Sequence, residues 1–540
     1  MIPAFLLAAV LTADPNLNRL QAYFAPTLDA TRREINGQTG KLLGFSAGSG
    51  YPQIWIRDAA THLPLTRFHA PVGYLTSWIE EHLAAQADDG NVFDWICTGP
   101  FRRLKAGAPQ ARIIYRSSDG RQVVTADKNT MEADQESSLV EAAYQIWRIL
   151  GDLDWLRKPV AGSPILTRLD RALSYVRAHR FDPGTGLVTS GYTTDFGDVS
   201  PLYPDQRAIY LDSRTPVVAC IYPNAFFYRA AQDLGAMHLA AGNKARAKYW
   251  RQEAERLRAS INRQLWDQTR GYYRLHVVVT PELARGFTDN SAAWALGGNS
   301  LALLYGLADQ GQGRQMIAAA ERLRQQFGVS TIAGNLLPPW PTGFFKHPYL
   351  REEFSYLNGG QWDWFAGRFI QAEFERGYSR TASRQLSEIA ARNVAAGGLF
   401  EWYTRDGRPK GSANYLGSAA ALAGALYQGK YGVYLSHDEL QLQPRLGEES
   451  GSITLDQPSD GTHVTYQYSY DPSLRTVSMT YESNFPHPGA IRMLLPAKTR
   501  AVKLTLDGKR RPIRTGTTGE DTFLTLRTDW KRHTLAVEVR

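Results

Sequence analysis

Carboxylates set among aromatic rings, with arginine close by, are the residues of this 540-residue chain whose types and spacing could do chemistry. They gather in four stretches. The first is Trp55-Ile56-Arg57-Asp58-Ala59-Ala60-Thr61-His62 and the second Met131-Glu132-Ala133-Asp134-Gln135-Glu136. The third is Tyr192-Thr193-Thr194-Asp195-Phe196-Gly197-Asp198. The fourth joins Tyr356-Leu357-Asn358-Gly359-Gly360-Gln361-Trp362-Asp363-Trp364 to Leu399-Phe400-Glu401-Trp402-Tyr403. Such a set suits cleavage of a glycosidic bond, which needs one protonated carboxyl group for the leaving oxygen and one ionised carboxylate for water or the anomeric carbon. Asp195 or Asp198 and Glu401 have the best contexts for those two roles. Phe196 would desolvate a neighbouring carboxyl and raise its pKa, as a general acid requires. The bland alternative for Asp195 and Asp198 is turn formation and helix capping, and it weighs less for Glu401, which is flanked by Phe400, Trp402 and Tyr403.

Around that pair, Trp55 offers a stacking face, and Arg57 with Asp58 offers the paired hydrogen bonds that fix a pattern of sugar hydroxyls. A purely structural Arg–Asp ion pair is the competing reading. Asn358-Gly359-Gly360 lets backbone pass close to a ligand, since glycine has no Cβ. Trp362 and Trp364, two residues apart at a helix start, should face different ways, so only one is expected in a pocket. Gln135, Glu136 and Trp402 complete the expected substrate-binding set.

These groups need a large scaffold, and the composition supplies one: 43% hydrophobic, 21% charged and 11% aromatic. The length exceeds one ordinary compact domain. Net charge is +9, but Lys and Arg are scattered, so no stripe of the nucleic-acid type is visible. Cys97 and Cys220 are the two cysteines, which excludes a disulfide scaffold, and no HxH or HExxH pair suggests a metal. No cofactor is implied, and nothing specifies an oligomeric state.

Residues 18–430 read as successive amphipathic helices separated by aromatic and Gly- or Pro-containing loops, with helices expected over 138–150, 165–178, 224–241, 244–265, 299–309, 313–327, 361–377 and 379–395. The four chemical stretches would lie on the connecting loops. Paired helices at similar spacing suggest a closed (α/α)6 toroid; an α-solenoid is the alternative. After Gly432 the pattern alternates with period two, as in 462–468, 476–481, 501–506 and 534–539, which predicts a C-terminal β-sandwich over 431–540. Residues 1–17 open on an apolar run ending in small residues, as an export signal would, though without a basic leader; an ordinary N-terminal segment is the alternative. No later stretch is apolar enough to span a bilayer.

Taken in order, these motifs resemble the (α/α)6-barrel inverting glycoside hydrolases: processing α-glucosidases and mannosylglycerate hydrolases, the glucosidase part of glycogen-debranching enzymes, and bacterial α-L-rhamnosidases. Trp55-Ile56-Arg57-Asp58 looks like the early W-x-R-D loop that holds the sugar, and Asn358-Gly359-Gly360-Gln361-Trp362 like the late N-G-G-x-W segment. Glu401-Trp402, followed by Gly411-Ser412-Ala413-Asn414-Tyr415-Leu416-Gly417, is similar to the segment carrying the general base. The resemblance implies Glu401 as base and places the acid in mid-barrel, at Asp195 or Asp198. It implies hydrolysis at an exposed, α-linked non-reducing end of an oligosaccharide or glycoside, with inversion. The chain departs from the rhamnosidases in lacking an acid-bearing R-E segment after an Asp-Cys-Pro turn, and from debranching enzymes in lacking a preceding transferase domain. A glycoside phosphorylase, a polysaccharide lyase and a non-catalytic glycan-binding protein are the competing classes.

Overall fold

The computed structural model describes residues 9–99 and 111–540. Six helices are buried on nearly every side: Ile56–Thr66, Gln135–Leu150, Ile221–Ala240, Leu296–Leu304, Asp363–Glu375 and Leu416–Gly424. Each packs on the next, and Leu416–Gly424 returns to pack on Ile56–Thr66. Helices of this kind are apolar all round, as Tyr222, Ala225, Phe226, Phe227 and Leu234 in Ile221–Ala240 illustrate. Outside them lie amphipathic helices, among them Val72–Ala84, Ile165–His179, Lys244–Gln264, Gln310–Phe327 and Ser379–Ala396. In Lys244–Gln264 only one stripe is buried, with Trp250, Ala254, Leu257 and Ile261 on it, each such side chain contributing about 1.5–3 kcal/mol of transfer free energy.

The expected helices over 138–150, 224–241, 299–309 and 361–377 are present with shifted ends, as Gln135–Leu150, Ile221–Ala240, Leu296–Leu304 and Asp363–Glu375. Ile56–Thr66 is a correction, since the stretch Trp55 to His62 is expected on a connecting loop, and Leu416–Gly424 is a helix missing from the expected set. Pro64 inside the first, and the nearly uniform apolarity of the second, hide the 3.6-residue period that marks an amphipathic helix.

Beyond Gly432 the chain is in strands. A seven-stranded antiparallel sheet runs in the order Ala9–Thr12, Gly451–Gln457, Thr462–Asp471, Thr476–Ser483, His533–Val539, Ala501–Leu506, Lys509–Arg510. A five-stranded sheet runs Val433–Leu435, Leu440–Leu442, Gly489–Leu494, Asp521–Thr528, Thr515–Thr518, with the Leu440–Leu442 to Gly489–Leu494 pairing parallel. Val464, Tyr466, Tyr468 and Val477, Met479, Tyr481 point one way and are buried, while their neighbours are more exposed. The Tyr481 hydroxyl and Thr528 Oγ1 are hydrogen-bonded at 2.5 Å, linking one sheet to the other.

Of the N-terminal apolar run, residues 1–8 lie outside the described residues. Ala9–Thr12 form an edge strand paired with Gly451–Thr454, and the Tyr431 hydroxyl donates to Leu11 O. Helices and sheets meet through Ser379, whose N–H and hydroxyl both donate to Asp521, and through Arg67, which donates to Gln457 and Leu435 O. Among the described residues no helix is long and apolar enough to cross a membrane.

Candidate active site

A cavity of about 790 Å³ lies at the starts of Ile56–Thr66, Asp363–Glu375 and Leu416–Gly424. Its wall begins with the short strand Ile54–Trp55, from which the chain turns directly into Ile56–Thr66. That turn aims Trp55, Arg57 and Asp58 at the cavity from the first helical turn. The Arg57 guanidinium donates to Asp134 through Nε (2.5 Å) and Nη2 (3.0 Å), pairs with Glu132, and lies over the Phe196 ring at 4.3 Å. It is a buried, charge-assisted clamp joining three of the four chemical stretches. Asp58 accepts from the Tyr415 hydroxyl at 3.2 Å, and burial pushes its pKa up to about 6 against the pull of Arg57.

Glu401 sits on the strand Phe400–Tyr403 and is 4% exposed. The Tyr51 hydroxyl bridges both its carboxylate oxygens at 2.9 and 3.0 Å, and the Ser412 N–H donates to Oε2 at 2.9 Å. Burial pushes its pKa up to about 7; the Ser412 and Tyr51 bonds oppose the shift, while Asp58 and Asp198 add to it. Glycine is required beside it, because a Cβ on Gly411 would stand 2.4 Å from Glu401 Oε2. Trp402, the next residue on the strand, packs against Gly360 and Gly411 and is absent from the cavity lining.

The two mid-chain aspartates separate cleanly. Asp198 lines the cavity, its carbonyl held by Asn129 Nδ2 at 3.0 Å. Asp195 turns away: with φ +45° it accepts the N–H groups of Gly297 (2.7 Å) and Gly298 (3.0 Å) at the start of Leu296–Leu304. This is an anion seated on a helix N-terminus, and burial nonetheless pushes its pKa up to about 7. Phe196 between them packs on Tyr222, Trp364 and Phe365.

Three other residues expected on substrate are absent from the cavity lining and are bonded to the framework. Asn358 accepts from Trp340 N–H at 2.8 Å and donates to the carbonyls of Trp340 and Leu350, clamping its own loop. Gln135 donates to Asn129 O and Glu132 Oε2, and Glu136 pairs with Lys128 Nζ at 2.6 Å and accepts from Val92 N–H. From that segment Glu132 reaches the cavity. Trp362 and Trp364 both line it, contrary to the two-residue spacing argument, because Trp362 is the extended residue before the helix and Trp364 is inside it. Tyr51, Tyr415, Gln206, His347 and Tyr349 also line the wall. The sequence signals for them are slight: Tyr51-Pro52 follows a Gly-Ser-Gly turn, and Tyr415 ends the Gly-rich segment after Glu401.

Residues 51–418 match the family model of the mannosylglycerate hydrolase MGH1-like glycoside hydrolase domain. Comparison with curated proteins finds no sequence match. Among solved structures, α-L-rhamnosidase from Dictyoglumus thermophilum is similar with a TM-score of 0.61 and 12% identity, over 98% of this chain and 50% of that one. The Streptomyces avermitilis α-L-rhamnosidase gives 0.57 and 14%, over 98% and 42%. The GH63 mannosylglycerate hydrolase from Thermus thermophilus gives 0.51 and 18%, over 75% of this chain and 100% of that one. The chain thus spans about half the length of the rhamnosidases, and at these identities the likeness is one of fold. The match of residues 51–418, more than half of the chain, shows that it belongs to the MGH1-like glycoside hydrolase family.

Proposed function

We propose that this protein hydrolyses a terminal, α-linked glycosidic bond with inversion, using Asp198 as general acid and Glu401 as general base. The observation carrying this reading is that both carboxylates line one cavity walled by Trp55, Trp362 and Trp364, while the rival acid Asp195 is spent on a helix N-terminus. In the proposed cycle Asp198 protonates the leaving oxygen, and Glu401 takes a proton from a water that attacks the opposite face of the ring. Arg57, Asp58 and Glu132 would hold glycone hydroxyls, and the indoles would cover its apolar faces. Tyr51 would fix the orientation of the base through its two bonds to Glu401.

The ring of buried helices, each packed on the next, supports a closed (α/α)6 toroid, and the inward-facing apolar rows of the two sheets support a β-sandwich over 431–540. Phosphorolysis fits less well, because among the described residues the cavity lining sets four carboxyl groups, Asp58, Glu132, Asp198 and Glu401, against one arginine, Arg57, whose Nε and Nη2 are already bound to Asp134 and Glu132.

The test is sugar release from a panel of α- and β-linked glycosides of glucose, mannose and rhamnose, including mannosylglycerate, by the wild type beside Glu401→Gln. Turnover by the wild type, lost about 10³-fold or more in a folded Glu401→Gln, is expected. Proton NMR of the first-formed product should show the inverted anomer. Retention of configuration, or near-normal activity of Glu401→Gln, would remove the mechanism.

A further inference from the structure

A second cavity, of about 400 Å³, lies at the last turns of Ile56–Thr66, Gln135–Leu150, Leu296–Leu304 and Asp363–Glu375, whereas the site described above lies at helix starts. The two adjoin at Thr61 and Trp364: Trp364, on the wall of the first, donates through Nε1 to Thr61 Oγ1, on the wall of the second, at 3.0 Å. The proposed chemistry uses no side chain of the second cavity. Arg368 on its wall is 8% exposed, lies over the Trp364 ring at 5.3 Å, and its Nη1 is buried without a hydrogen-bond partner among the described residues. A buried charged donor left unbonded is costly, so an acceptor seated in the cavity would be held there.

The same wall offers acceptors. Oε1 of Glu141 accepts from Gln145 Nε2 and the Tyr305 hydroxyl, both at 2.9 Å, and Oε1 of Glu375 accepts from Gln371 Nε2 at 3.0 Å and the Tyr434 hydroxyl at 3.1 Å. In each glutamate these donors fall on one oxygen, which leaves the lone pairs of Oε2 for a ligand. Charge does not select an ion. Four arginines and three glutamates line the cavity, and two of the arginines are paired with aspartates outside the lining, Arg148 with Asp438 at 2.7 Å and Arg229 with Asp233 at 2.9 Å. The helix C-termini around it add partial negative charge, which offsets the arginines further. An ampholyte would need a lasting negative charge on the wall, but burial pushes the pKa of Glu141 upward, and either form of that carboxyl bonds a hydroxyl. The amides of Gln145, Gln371 and Gln428 suit hydroxyl groups in the same way.

We infer that this second cavity is a binding site for an uncharged polyhydroxylated ligand of monosaccharide size, whose hydroxyls accept from Arg368 and donate to Glu141 and Glu375. The test begins with crystals of the full chain soaked in D-mannose or D-glucose at about 100 mM, well above a millimolar Kd. The expected result is sugar in the second cavity, with one hydroxyl in hydrogen-bond reach of Arg368 and another of Glu141 or Glu375. Sugar confined to the active-site cavity, or none, overturns the inference. Glycine and sodium phosphate, soaked separately, represent an ampholyte and an anion; occupancy by either without the sugars overturns the ligand class. In solution, calorimetric titration with the sugar seen should show an event weakened about tenfold in Arg368→Gln and unmoved in Trp55→Ala, whose position lines the active-site cavity. Unchanged affinity in Arg368→Gln marks binding at crystal concentration only and overturns the inference, as does an event that Trp55→Ala alone abolishes. Should Arg368→Gln fail to fold, Gln145→Ala, which keeps the guanidinium and removes an amide from the wall, takes its place: weaker binding supports the site and equal affinity overturns it. Binding here needs no turnover, so the test stands whether or not the hydrolase reading holds.

Discussion

At the scale of single residues, the base candidate is poised between two demands. Burial favours its neutral form, whereas Tyr51 and Ser412 donate to its carboxylate and favour the charged one, and the balance lies near pH 7. Removing the Tyr51 hydroxyl deletes a bond made to the charged form, so the pKa of Glu401 rises. A base must be ionised, so the acidic limb of kcat/KM moves to higher pH. For Tyr51→Phe a displacement of about half to one pH unit is expected, the equivalent of a net hydrogen bond of about 1 kcal/mol. A pH–rate profile checks it; an unmoved limb with lower activity throughout would show that Tyr51 does something other than tune Glu401. The sequence showed the aromatic and acidic neighbourhoods from which Trp55, Arg57, Asp58 and Glu401 enter one cavity. It did not show that Asn358, Glu136 and the amide nitrogen of Gln135 are bonded to backbone and framework, because amides and carboxylates serve peptide groups and sugar hydroxyls with the same bonds.

At the scale of elements, the choice between Asp195 and Asp198 turns on a helix end. Leu296-Gly297-Gly298 opens Leu296–Leu304 with two glycine N–H groups exposed for capture, and a Cβ on Gly297 would stand 2.5 Å from Asp195 Oδ2. No spacing rule reveals this partnership, since 102 residues separate the two ends of the Gly297 bond. Asp195→Asn keeps the size but replaces one acceptor oxygen by a donor facing an N–H. It should cost about 1–3 kcal/mol in urea unfolding while the folded fraction keeps activity. Asp198→Asn should do the reverse, with loss of turnover and little change in stability. If Asp195→Asn abolishes turnover in a protein of unchanged stability, the assignment of the acid is wrong. The same scale explains the helices that pattern reading missed. Lys244–Gln264 announces itself by a charged outer face, but Leu416–Gly424 is buried throughout and has no polar side to set a period.

At the scale of the whole molecule, the helices and the two sheets are joined where backbone touches backbone. Gly377 ends the turn after Asp363–Glu375 with φ +83°, and a Cβ there would come within 1.8 Å of Thr518 O on the five-stranded sheet. Glu520 N–H donates to Gly377 O at 2.8 Å, and two residues on Ser379 is bonded to Asp521. Gly432 is fitted as closely, φ +63° with Gln443 O 1.9 Å from its would-be Cβ, where the chain passes into Val433–Leu435. Ala9–Thr12 adds a further tie, because the segment that precedes the helices closes the edge of a sheet that follows them. Contacts of this closeness leave little room for one part to loosen without the other, so calorimetry of the intact chain should give a single unfolding transition. Gly377→Ala forces the sheet loop away and imposes a left-handed φ on a residue with a side chain; it should destabilise by about 1–3 kcal/mol or more. If the joint is stiff, that loss lowers the single transition as a whole. If the variant instead splits the transition in two, with the helical part unfolding at its original temperature, the sheets are an appended domain and the coupling inferred from Gly377 and Asp521 is absent.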